Sequence, residues 1–144
     1  ITMVNRPSSP KSPSNISQEI VKLITSNELT SLKDYPIRQL VEHAQSFGPE
    51  LKQQRLETNQ IRKFLDTLNQ LKSKLVNHGF DAIETEVVLL KPKLAYAAAR
   101  QQAVKPLNEV MSAAINKVRD KEDFERLVQL IESIIAYHKA EGGK

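Results

Sequence analysis

From residue 17 to residue 138 the apolar side chains return every three or four positions, and no stretch alternates strictly between apolar and polar residues. That spacing is the period of an amphipathic helix and leaves no material for a sheet. The clearest run is Ile61, Phe64, Leu65, Leu68, Leu71 and Leu75, which share one helical face. Thr58 is the expected N-cap ahead of this run. Gly79 is the expected left-handed stop behind it, with Phe80 placed to touch Leu75.

The same pattern continues on both sides. Ser17 is the expected cap of a short helix carrying Ile20, Leu23 and Ile24, and Pro36 occupies the first turn of a helix carrying Ile37, Leu40, Val41, Ala44 and Phe47 at 3-4 spacing. Gly48-Pro49 is expected to end or kink that helix, although Leu51 could extend its stripe. Asp81, with Glu84 three residues on, is expected to open the next helix in a capping-box-like arrangement. That helix, over 82–102, has Ile83, Val87, Leu90, Leu94 and Ala97 on one face and Val88, Leu89, Ala95 and Ala99 on the other. A helix apolar on two sides is either central in a bundle or covered by another protein. Pro92 inside it is expected to bend it. Pro106 opens a further helix, and Asp120 with Asp123 caps the last one, which Gly142-Gly143 closes. The expected fold is all-α, a compact bundle of five to six helices. Residues 1–15, dense in proline and serine, are expected to form a disordered tail, with 16–144 a single helical-bundle domain. The opening at Ile1, with Met3 behind it, reads as a trimmed fragment or an expression scar.

Composition narrows the chemistry. There is no Cys, so disulfides, thiolate nucleophiles and Cys-ligated metals are excluded, and four Gly leave little for a phosphate-cradling loop. No run approaches a membrane span and no signal-peptide core is visible, so a cytoplasmic location without membrane contact is expected. His43, His78 and His138 lie far apart. His138 and Glu141, one helical turn apart, could supply two metal ligands, whereas the plainer expectation packs His138 at the edge of the core. No catalytic grouping emerges, so the chain is expected not to be an enzyme and to need no cofactor or metal.

The charge is segregated. Residues 51–80 carry six Lys or Arg against two Asp or Glu, and residues 91–119 carry six against one, while 81–90 and 120–144 are net acidic. Concentrated positive charge attracts polyanions better than the same charge scattered. Lys93, Tyr96 and Arg100 fall at i, i+3 and i+7, a stripe able to meet phosphates with a ring between the cations; alternatively Tyr96 packs and the cations simply reach water. Lys52 and Arg55 precede the Thr58 helix and Arg62 lies in its first turns, where free backbone amides favour an anion; a solvated linker is the alternative. No sequence-reading nucleic-acid motif is present, so any binding should be to the backbone.

Three stretches carry a family resemblance: Leu56-Glu57-Thr58-Asn59-Gln60-Ile61-Arg62-Lys63-Phe64, Leu90-Lys91-Pro92-Lys93-Leu94-Ala95-Tyr96-Ala97-Ala98-Ala99-Arg100, and Ala136-Tyr137-His138-Lys139-Ala140-Glu141-Gly142-Gly143-Lys144. Together, over about residues 35–144, they resemble the small helical subunit of type III-A CRISPR–Cas (Csm) effector complexes. The Pro/Ser tail has no counterpart there, and Gly48-Pro49 departs from the more continuous helix the family implies. The resemblance implies a non-catalytic RNA-binding structural subunit of antiviral defence that lies along the duplex of crRNA and target RNA. Its partners would be the backbone and large subunits of the Csm complex and other copies of itself. It also makes Arg62, Lys63, Lys91, Lys93 and Arg100 the expected RNA contacts, while Lys52 and Arg55 rest on charge and position. The alternative is a helical protein–protein adaptor, for instance a homodimer, with no direct nucleic-acid role.

Overall fold

The computed structural model describes residues 15–143, and among them the chain forms six α-helices and no strand: α1 (Asn15–Thr25), α2 (Ile37–Gln53), α3 (Thr58–His78), α4 (Glu84–Arg100), α5 (Lys105–Ile115) and α6 (Lys121–Ala140). The expected tail falls, but for Asn15, outside the described residues.

Helix α6 is the hub. Its Phe124, Leu127, Val128, Leu130, Ile131 and Ile134 are all buried, and α2, α3 and the 3-10 turn Leu32–Asp34 pack around it. Helices α1 and α4 rest instead on α5. The α4 helix is therefore not the centre of the bundle. Only its Val87, Leu90, Leu94 and Ala98 are buried, and Val88 and Leu89 remain 52% and 50% exposed.

The Asp120 cap forms as expected, its carboxylate accepting from the Asp123 amide at 2.9 Å. Asp123 itself is buried and accepts from the backbone amides of Lys33 (2.8 Å) and Arg119 (2.9 Å), which fastens the 3-10 turn to the start of α6. A buried carboxylate held by two N–H donors is a satisfied one.

Four local expectations give way to tertiary packing. Helix α2 runs through Gly48 and Pro49 to Gln53. A Cβ on Gly48 would sit 2.5 Å from the His138 amide nitrogen and 2.9 Å from the Ile134 carbonyl oxygen, so glycine is what lets α2 lie against α6. Ser17 lies inside α1 rather than ahead of it, and is buried. Thr58 is buried in the first turn of α3 rather than capping it; Glu57 is the N-cap, and its amide donates to the Gln60 side chain at 3.4 Å. Asp81 opens no α-helix: Gly79 adopts φ 85° and ψ 171°, not the left-handed helical conformation, and sends the chain through a 3-10 turn (Phe80–Ala82), so α4 starts only at Glu84.

Candidate nucleic-acid interface

Because α3 packs on α6 and α4 on α5, the two helices converge at the Phe80–Ala82 turn and diverge beyond it. An exposed Lys74–Glu86 ion pair at 2.6 Å clasps the closed end. Towards the open end lies a groove of about 540 Å³. Gln60, Lys63, Phe64 and Thr67 line it from α3, and Leu90, Lys93, Leu94, Ala97 and Gln101 line it from the α4 side at the same 3-4 spacing. Val104 and Leu107 complete it. Phe64, Leu90, Leu94, Val104 and Leu107 are buried and make an apolar floor, whereas Lys63, Lys93 and Arg100 are exposed and make a basic rim. No Asp or Glu belongs to the lining.

Tyr96 also borders the groove and is 66% exposed, so it does not pack into the core. The Arg100 guanidinium lies 5.8 Å from the centre of its ring, within cation–π range. The Lys93, Tyr96 and Arg100 stripe therefore exists as a continuous exposed feature.

The remaining expected site residues are dispersed. Arg62 is exposed on α3 but does not line the groove, being about 100° around the helix from Lys63. Lys91 is half-buried, and its ammonium donates to the Asn116 side chain at 2.6 Å, tying α4 to the end of α5. Lys52 and Arg55 are exposed at the α2–α3 corner. There the Arg55 amide donates to the Lys52 carbonyl (2.9 Å) and the Leu56 amide to the Leu51 carbonyl (3.0 Å), with Arg55 at φ 71°. This is a Schellman motif with arginine in the glycine position. Gln60, Thr67 and Gln101 escaped the sequence reading; the signal was their shared spacing with Lys63 and Lys93.

Two of the three histidines, His138 and His43, serve the fold, while His78 is exposed. His138 is fully buried. Its Nε2 donates to the Leu56 carbonyl at 2.6 Å, and its Nδ1 is hydrogen-bonded with the Thr58 hydroxyl at 3.3 Å. Neither nitrogen is free to face a metal beside exposed Glu141. Gly142 (φ 91°) and Gly143 close α6 with a second Schellman motif, and a Cβ on Gly143 would strike the His138 ring. His43 Nδ1 and the Tyr35 hydroxyl share a hydrogen bond at 2.7 Å, and burial holds the His43 pKa below the usual histidine value. Among the described residues no three His, Asp or Glu gather as a metal would need, and no helix is long and apolar enough to cross a membrane.

The family described as Csm2 Type III-A matches residues 34–144. The chain belongs to the Csm2 family. Membership makes it a small structural subunit of the type III-A Csm complex. Among curated proteins, the CRISPR system Cms protein Csm2 of Streptococcus thermophilus is 34% identical over 91 residues, covering 62% of this chain and 75% of that protein. No solved structure matches the chain. The match to Csm2 takes in all three stretches that carried the resemblance, and with them the groove-lining parts of α3 and α4.

Proposed function

We propose that this Csm2 chain is a non-catalytic, cytoplasmic subunit that grips the crRNA–target RNA duplex by its phosphates. One observation carries the reading: Lys63, Lys93 and Arg100, from two separate helices, surround one groove whose lining includes no carboxylate. Cations so placed attract phosphates irrespective of sequence, guide pairing supplies the specificity, and repeated copies in the complex add avidity. Arg62 and the corner residues Lys52 and Arg55 extend the basic surface, and Lys91 contributes once it exchanges Asn116 for a phosphate.

The test is charge reversal of Arg62, Lys93 and Arg100 together. The expected result is loss of RNA retention with folding and assembly intact, and a salt dependence of log affinity reduced by about 0.9 per lost phosphate contact. Unchanged retention supports the second reading, a protein–protein adaptor with no direct nucleic-acid role. Its favouring observation is the exposure of Val88 and Leu89 on α4.

A further inference from the structure

A paired duplex leaves most of the α3–α4 groove unexplained. Stacked bases present their edges, with the riboses and phosphates, and hide their faces from a protein. Such a ligand could satisfy Lys63, Lys93 and Arg100 on the rim, but it would leave the cavity between them unfilled and the exposed face of Tyr96 unused. We propose that the groove seats one unpaired nucleotide, its base against the apolar floor and Tyr96 and its phosphate on the basic rim. This inference rests on the proposed RNA-binding function and specifies the ligand of the same site.

Three features converge on that ligand. The cavity of about 540 Å³ falls within the range of roughly 300–1,000 Å³ typical of pockets that take small organic groups. Its lining combines three cations, no carboxylate and an apolar floor, which matches a ligand that is anionic at one end and flat and apolar at the other. Tyr96 is exposed at the border, with Arg100 held beside its ring, so a platform for stacking is already assembled. An acidic peptide would also answer the charge, but it has no comparable use for the ring and the floor together.

The full chain would be titrated with a short single-stranded oligouridylate, with the same strand carrying abasic riboses, and with a paired duplex of the same length. The abasic strand keeps every phosphate and loses every base. The expected result is about tenfold or greater weakening on removing the bases at equal salt, as stacking of a base on an aromatic side chain predicts. Ala97→Phe, which fills the groove, and Tyr96→Ala, at an exposed position where folding is not at risk, should each abolish the difference between the base-bearing and abasic strands. Equal affinity for base-bearing and abasic strands in the unaltered chain overturns the inference and leaves phosphate binding standing. Equal displacement of the strand by oligoglutamate overturns it in favour of an acidic protein partner. Failure to bind any of the three RNAs at low salt removes both the inference and the function beneath it.

Discussion

At the scale of single residues, Arg55 and Glu50 occupy positions that stability alone would fill differently. Arg55 takes the left-handed conformation in which glycine is unstrained, at φ 71°. An L-residue there costs about 1 kcal/mol or more, partly offset by the unfolded-chain entropy that glycine would add. Arg55→Gly is therefore expected to raise stability by roughly 0.5–1 kcal/mol in urea melts. Under the proposed function the same change weakens RNA binding and lowers its salt dependence, and a variant that gained stability without losing affinity would remove Arg55 from the interface. Glu50 is only 6% exposed on α2, and its Oε2 has no hydrogen-bond partner. Burial raises its pKa from the ordinary 4.5 to about 7. Between those values the unfolded chain has released the proton and the folded chain still holds it, so the Glu50 contribution falls as pH rises from about 4.5 to 7 and is flat above. Glu50→Gln is expected to remove that slope and to be the more stable protein above pH 7, by roughly 1–3 kcal/mol. Denaturation midpoints of both proteins across this range give the difference curve; a flat difference would contradict it.

At the scale of elements, Gly48 shows why the helices were readable in the sequence and their contacts were not. Periodicity placed Ile61 to Leu75 on one face of α3, and burial of Ile61, Phe64, Leu68, Leu71 and Leu75 follows it. Periodicity describes one helix against an unspecified core, however, and Gly48 answers to a particular neighbour, the backbone of α6 at Ile134 to His138. In an isolated helix Gly48→Ala would stabilise by up to about 1 kcal/mol. Here the added carbon meets backbone atoms that cannot swing aside, and overpacking of this kind costs about 1–3 kcal/mol, so the packing term outweighs propensity. Gly48→Ala is expected to destabilise by about 1–2 kcal/mol net, measured as a lowered Tm, and stabilisation would show that α2 does not approach α6 so closely. The same distinction governs the groove. The charges of Lys63 and Lys93 were visible in sequence, but their meeting depends on α3 and α4 leaning on different partners, and Arg62, adjacent to Lys63, is left outside.

At the scale of the whole molecule, the two-sided apolar character of α4 had two explanations, and the fold removes one of them. The hub is α6, and α4 lies on the outside against α5, so Val88 and Leu89 are not needed for the core. A small structural subunit of the Csm complex must contact other subunits, and half-exposed aliphatic side chains on an outer helix suit such a contact better than they suit water. Polar replacement at exposed positions normally changes stability by no more than about 0.5 kcal/mol. Val88→Ser combined with Leu89→Ser is therefore expected to leave the Tm nearly unchanged while reducing incorporation into the complex, read by co-purification with the other Csm subunits. RNA affinity of the free chain should also be unaffected, because neither residue lines the α3–α4 groove. That pairing separates the two surfaces of α4. Loss of assembly with retained RNA binding assigns them to different partners, whereas intact assembly would show that the Val88–Leu89 face is left open to solvent in the complex.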